Sequence, residues 1–220
     1  MQDSRSLEKI ILLLREQIKL FTPTLVDQII TEFGHDPYLI LISCLLSLRA
    51  KDSTTIHVCR ELFTRVKTPQ QMVDLSLCEL EKIIFKTGFY RNKAMVLKHV
   101  SQVLVATYAG TVPSSMEQLL KIKGIGSKTA NLVLGMAFKI PSICVDTHVH
   151  RISNRFGLIS TKSVDETEKN LKMVIPRNLW IEWNKLLVIW GQNICHPVSP
   201  KCSVCVIRPY CKRVGVLKSR

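Results

Sequence analysis

The chain contains no long apolar run. Leu39–Leu48 is too short to span a bilayer and ends in Arg49, while Ile10–Leu14 is followed at once by Arg15 and Glu16. Neither a membrane helix nor a secretory signal is expected from such segments. Alternating strand patterns, internal repeats, low-complexity tracts and Gly/Ser-rich linkers are also missing, which argues against a sheet-based fold and against independent domains on a tether. Acidic residues are scarce: 17 Asp and Glu stand against 31 Lys and Arg, a formal charge of +14. That imbalance points to a polyanionic partner, and nucleic acid is the commonest for a soluble protein. The plainer alternative is a basic surface with no dedicated ligand. Without a secretory signal the protein is expected to be intracellular and reduced, so its eight cysteines need an explanation other than disulfides.

What the sequence does have is helical periodicity. At 46% hydrophobic over 220 residues, it can bury one large core or two smaller ones. Apolar residues recur at three- and four-residue spacing through Leu7–Phe21, Leu25–Phe33, Tyr38–Leu48, Ile56–Val66, Leu77–Phe85 and Ala94–Tyr108. The pattern continues through Met116–Ile122, Ala130–Phe138, Val149–Leu158, Val164–Val174 and Trp180–Ile194. Gly34, Gly88, Gly110, Pro113, Gly124 and Pro141 punctuate these runs. The pattern predicts an all-α fold. Trp180, Trp183 and Trp190 share the last run with Leu186, Leu187 and Ile189, a spacing that reads as packing rather than base stacking. Cys44, Cys59, Cys78 and Cys144 lie among Leu, Ile and Val and are expected to be ordinary buried residues.

The tail differs. Cys195, Cys202, Cys205 and Cys211 follow the spacing C-x6-C-x2-C-x5-C, with Pro197, Pro200 and Pro209 interspersed. Four thiolates so close together need a bound positive centre. Structural zinc usually draws on two C-x2-C pairs, and only one is present. A four-iron cluster accepts looser, unequal steps and fits better. A redox-active Cys202–Cys205 pair would leave two thiols idle. Lys201, Arg208, Lys212 and Arg213 flank the cysteines, so this loop is expected to present cations to a nucleic-acid backbone.

Leu120–Arg151 carries the densest chemistry. Lys123-Gly124-Ile125-Gly126-Ser127-Lys128 reads as a helix end, a glycine turn and a new helix. Glycines let main chain approach a phosphate without a Cβ in the way, and the amides of such a turn grip an anion. Ile125 would plug into the core and hold the turn. A plain helix–helix connector is the competing reading. Lys128 lies just inside the new helix, whose positive amide end, with Lys121 and Lys123, works against a further charge there. A neutral amine can attack an electrophilic carbon and form a Schiff base; most lysines, by contrast, are merely solvated. Asp146 precedes Thr147-His148 and reads as an N-cap. A carboxylate there could also accept a proton from a nucleophile or stabilise an oxocarbenium ion.

These residues identify a family by resemblance. LKIKGIGSKTANLVLG, CVDTHVHRISNR and the four-cysteine tail resemble endonuclease III of the helix-hairpin-helix DNA glycosylases, and the similarity runs nearly collinearly from Ile30 to Cys211. The resemblance implies a two-lobed all-α fold: a six-helix barrel over residues 30–140, and an iron–sulfur lobe built from residues 1–29 and 141–220. It implies a DNA cleft between the lobes, a flipped-out base, Lys128 and Asp146 as catalytic residues, and Cys195, Cys202, Cys205 and Cys211 as ligands of a 4Fe-4S cluster. Lys123, Gly124, Ile125 and Gly126 would then grip the DNA backbone. By position, the loop carrying Arg49 corresponds to the one that fills the gap left by the flipped base. The loop carrying Phe89, Tyr90 and Arg91 corresponds to the one that wedges the opposite strand. Many relatives have Gln where Arg49 stands, and His150 is also unusual, so lesion and opposite-base preference stay open.

The expected activity is base-excision repair by a bifunctional glycosylase and AP lyase acting on damaged, oxidised pyrimidines in duplex DNA. The protein is expected to be a monomer, cytoplasmic and nucleoid-associated if the source is prokaryotic. Alternatives are a monofunctional mismatch glycosylase, whose family members generally lack a lysine matching Lys128, and a non-catalytic iron–sulfur DNA-binding protein.

Overall fold

The computed structural model describes residues 4–220, with side chains from Leu7 onward; residues 1–3 of the expected iron–sulfur lobe lie outside the described residues. Twelve α-helices and three short 3-10 turns make up the regular structure, with no strand among the described residues. In chain order the helices are α1 Ser4–Ile18, α2 Leu25–Phe33, α3 Pro37–Ser47, α4 Asp52–Phe63, α5 Pro69–Asp74 and α6 Leu77–Ile84. They continue as α7 Tyr90–Tyr108, α8 Met116–Lys121, α9 Ser127–Phe138, α10 Thr147–Phe156, α11 Val164–Val174 and α12 Trp180–Asn193. None is long and apolar enough to cross a membrane.

The chain divides into two compact units, one of residues 25–140 and one of residues 1–24 with 141–220. The first begins at Leu25 rather than at Ile30, where the sequence suggested, because Leu25, Val26 and Ile29 of α2 are buried in its core. Its axis is α3. Every residue from Tyr38 to Leu46 is buried, which suits a helix apolar on all sides. Asp36 caps it by accepting from the Tyr38 and Leu39 amides at 2.7 and 3.1 Å, with Pro37 pre-set for the first turn. Helices α2, α4, α7 and α9 pack around it. The few polar groups inside are paired: the Tyr38 and Ser101 hydroxyls lie 2.7 Å apart, and the Ser43 hydroxyl donates to the Ile40 carbonyl at 2.8 Å.

The second unit packs α12 against α1 and α10, with α11 beside α10. Trp183 and Trp190 are buried at its centre, edge-on to Phe156 and Phe21 respectively. Trp180 is half-buried, and its indole N–H donates to the Ile175 carbonyl at 2.9 Å. All three tryptophans therefore serve packing, as their spacing implied.

Two sequence expectations need correction. Cys78 is exposed, because it falls in the first turn of α6 on the face opposite Leu80, Ile83 and Ile84; Cys44, Cys59 and Cys144 are buried. The helix α5 has no counterpart in the apolar periodicity. It is held by a capping box, in which the Thr68 hydroxyl accepts from the Gln71 amide while the Gln71 side chain accepts from the Thr68 amide. The Lys98 ammonium closes its far end on the Met72, Val73 and Leu75 carbonyls. Helices α4, α7, α9 and α10 also begin two to four residues before the first apolar residue of their periodic runs, because their opening residues are polar. Thr68→Ala should lower stability by about 1 kcal/mol. A denaturation midpoint equal to that of the unsubstituted protein would show that burial of Pro69 and Met72 alone holds α5.

Candidate active site

The glycine turn has the form the sequence implied. Gly124 has φ +105°, and a Cβ placed on it would lie 2.8 Å from a Val96 methyl, so both backbone and space demand glycine. Ile125 is buried, pinning the turn into the barrel unit, and its amide donates to the Ile122 carbonyl at 3.0 Å. What Ile125 presents outward is therefore backbone only. Gly126 is the N-cap of α9 and provides no side-chain oxygen for the first-turn amides. A helix start left in this state is the standard ground for gripping a phosphate. Lys123, Gly124, Gly126 and Lys128 are all exposed, and Lys128 is the second residue of α9.

Asp146 is the N-cap of α10. Its Oδ1 accepts from the His148 and Val149 amides at 2.9 and 2.8 Å, so the cap leaves Oδ2 uncommitted. The cap fixes the carboxylate's orientation, which is what a proton acceptor needs. His150 is committed elsewhere, with its Nδ1 at 2.6 Å from the Thr167 hydroxyl. His148 supports the turn, its Nδ1 lying 3.1 Å from the Arg151 guanidinium.

Of the two loops expected at DNA, the first places Arg49 and the second Phe89 in left-handed backbone, at φ 56° and 58°. Both side chains are exposed, and the Arg49 guanidinium carbon lies 5.5 Å from the Phe89 ring centre. Tyr90 is only half-exposed and packs against the barrel core, with Arg91 over its ring at 5.3 Å. Phe89 is thus the exposed aromatic of this loop, and Tyr90 anchors it.

All four tail cysteines line one cavity in the second unit, together with Arg155, Trp190, Arg208 and Arg213. Among the described residues no three of the potential donors converge on a single metal ion. Burial pushes the Cys205 thiol up to about 11, and proximity to Cys195, Cys211 and Cys202 adds to the rise. Burial likewise raises Cys211. Four thiolates in this place are stable only around compensating positive charge. The indole N–H of Trp190 and the Nε–H of Arg213 are buried with no hydrogen-bond partner among the described residues. Two orphaned donors on the wall of a sulfur-lined cavity suit an occupant that brings acceptor atoms.

Two residues here escaped the sequence reading. Arg155, on α10, is buried; its guanidinium donates to the His196 and Pro197 carbonyls, each at 2.6 Å, and to the Cys195 sulfur at 3.4 Å. Arg151, one turn earlier, donates to the Cys195 carbonyl at 2.8 Å. Gly191 makes room for this, since a Cβ there would lie 2.3 Å from His148 and 3.0 Å from Arg151. The available signal was the four-residue spacing of the two arginines on a helix otherwise rich in Val, Ile and Phe on that side.

A family model described as HhH-GPD superfamily base excision DNA repair protein matches residues 42–177. Endonuclease III of Thermotoga maritima is 43% identical over 177 residues, which cover 80% of this chain and 83% of that protein. A solved non-covalent endonuclease III–DNA complex is similar with a TM-score of 0.77 at 34% identity, covering 86% of this chain and 92% of that one. A trapped endonuclease III–DNA covalent intermediate, an estranged-adenine complex, has a TM-score of 0.77 at 33% identity over 90% and 95% of the two chains. By sequence and by fold together, the chain belongs to the endonuclease III family of helix-hairpin-helix base-excision DNA repair proteins.

Proposed function

We propose that this protein excises oxidised pyrimidines from duplex DNA and then cleaves the strand, using Lys128 as nucleophile and Asp146 as proton acceptor. The observation that carries the reading is an exposed lysine in the first turn of a helix whose N-cap is glycine. The turn would hold a phosphate, and the amine next to it would meet the adjoining sugar. The Lys128 nitrogen donates its electron pair to C1′ of the flipped nucleotide. The glycosidic bond breaks, the base leaves with that bond's pair, and Asp146 accepts the proton lost by the amine. Ring opening gives an imine between Lys128 and C1′. Loss of a C2′ proton then expels the 3′ phosphate by β-elimination, and water releases the lysine. An attacking water in place of an amine would leave Lys128 without a task, so the monofunctional reading is disfavoured.

Arg49 and Phe89 would occupy the gap and wedge the opposite strand, while Lys123, Gly124 and Gly126, with the Ile125 backbone, hold phosphates without reading sequence. Arg91 would add charge to the same strand. The partner is double-stranded DNA bearing damaged bases or abasic sites. The protein would act as a monomer on genomic DNA, in the nucleoid if the source is prokaryotic.

Cys195, Cys202, Cys205 and Cys211 would hold a 4Fe-4S cluster. The fit rests on four sulfurs around one cavity, too dispersed for a single ion, and on the orphaned donors of Trp190 and Arg213. Zinc suits this arrangement less well. When bound, the cluster supplies the positive iron that holds four thiolates together; the net excision reaction calls for no electron transfer. Lys201, Arg208 and Lys212 would leave the loop's outer face basic toward DNA.

Borohydride should trap the protein covalently on an abasic duplex, and Lys128→Gln should abolish trapping while binding persists; trapping that survives in the variant removes Lys128 from its role. Asp146→Asn should retain the cap yet slow excision by about 100-fold, whereas Asp146→Ala should in addition lower stability by about 1 kcal/mol. Equal turnover of Asp146→Asn and the unsubstituted protein would leave the residue as a cap only. Purified protein should contain about four irons per chain, and Cys202→Ser should lower both iron content and melting temperature. Stoichiometric zinc with no iron would exclude the cluster.

A further inference from the structure

Left-handed backbone in an arginine or a phenylalanine persists only where the surroundings impose it. Arg49 and Phe89 both have it, and they face each other. One buried side chain links the two loops that carry them. Lys93 lies on α7 one turn after Phe89, is 8% exposed, and donates from its Nζ to the Leu46 carbonyl at 2.7 Å. Leu46 is in the last turn of α3, immediately before the loop that turns through Arg49, where carbonyls lack helical partners and the helix end is negative. The Lys93 amide, in turn, donates to the Phe89 carbonyl at 3.0 Å. One residue thus holds the end of α3 with its side chain and the left-handed aromatic with its backbone. The loops also touch directly, since a Cβ on Gly88 would stand 3.5 Å from the Arg49 carbonyl.

Packing alone does not account for a lysine at this position. Burial disfavours its charged form, no carboxylate pairs with it among the described residues, and a methionine would fill the same space. What an ammonium adds is a directed bond to a particular carbonyl. With Leu45, Leu48, Asn92 and Val96, Lys93 lines the recess that Arg49 and Phe89 border.

We propose that Lys93 is a positioning residue for damage recognition, clamping the Arg49 loop to the Phe89 loop so that both side chains meet the unpaired opposite base as one rigid unit. The inference rests on the reading of these loops as DNA contacts. With the clamp in place, Arg49 donates from a fixed position, and bases that match its donors are favoured over those that do not. Without it, Arg49 samples several positions and discriminates less.

The test is single-turnover excision by the full-length protein of one 5-hydroxyuracil placed opposite A, C, G or T. A loss of folded protein lowers all four rates in proportion, so the ratio of fastest to slowest reports positioning and not stability. Lys93→Met should compress that ratio by about threefold or more, the scale of a lost charge-assisted hydrogen bond, and Lys93→Arg should restore most of it. An uncompressed ratio in Lys93→Met, or an unsubstituted enzyme indifferent to the opposite base, overturns the proposal. Arg49→Ala runs in parallel. If it too keeps the original ratios, the DNA-contact reading falls and takes the proposal with it; if it changes them while Lys93→Met does not, only the role of Lys93 falls. Should Lys93→Met fail to fold, Lys93→Gln, shorter and uncharged, is read by 2-aminopurine fluorescence opposite a tetrahydrofuran site. An altered emission in the complex supports the clamp, and emission equal to that of the unsubstituted protein overturns it.

Discussion

Enclosure of α3 on every side is the constraint from which the barrel unit follows. A helix buried from Tyr38 to Leu46 has no flank to offer a ligand, so what it contributes to function must emerge at its ends. Its C-terminal end leads directly into the loop bearing Arg49. Helix α9, packed along it, exposes its start, where the glycine turn and Lys128 lie. The same logic holds in the other unit, where α10 buries Val149, Ile152 and Phe156 and presents Asp146 at its first amides. In the proposed reading, the chemistry of this protein is therefore a chemistry of helix termini. Each terminus carries unsatisfied amides or carbonyls and a partial charge, and the residues placed there bind, orient or react through them.

That arrangement reconciles a very basic chain with a tightly packed interior. The positive charges that matter are not spread evenly. Lys123, Lys128, Arg49 and Arg91 stand exposed at turns, while Arg151 and Arg155 are drawn inward to hold the carbonyls around Cys195. The Arg155 guanidinium is tolerable out of water because its donors meet three acceptors, whereas Arg151 keeps a buried Nε–H without a partner among the described residues. The first group is the one proposed to meet DNA. The second serves the geometry of the cysteine segment, and its substitution would act through the loop rather than through DNA affinity.

Much of this was legible beforehand because helical folds write themselves in apolar spacing. Periodicity located eleven of the helices, and the GIG turn with its flanking lysines could be read from composition and order alone. The omissions share a cause. Helix α5 owes its existence to Thr68 and Gln71, two polar residues whose box was present in the sequence but lay in no hydrophobic pattern. Cys78 looked buried because its neighbours are apolar, yet at the start of a helix adjacent residues point different ways. Lys93, Arg151 and Arg155 do their work across gaps of about forty residues or more, and no local rule joins a lysine to a carbonyl that far upstream. Long-range polar contacts are what a single sequence conceals.

The division of the chain has a consequence for how the molecule comes into being. Residues 25–140 form one uninterrupted unit, whereas the other is assembled from segments at both ends of the chain. On the ribosome the barrel can therefore mature while the remainder is still being made. Helix α1, already synthesised, must wait for α12 before it finds its packing face, and Arg155 must wait for residues 195–197 before its charge is satisfied. The cysteine segment emerges after all twelve helices, so the cluster proposed for it would be acquired only once they have been made.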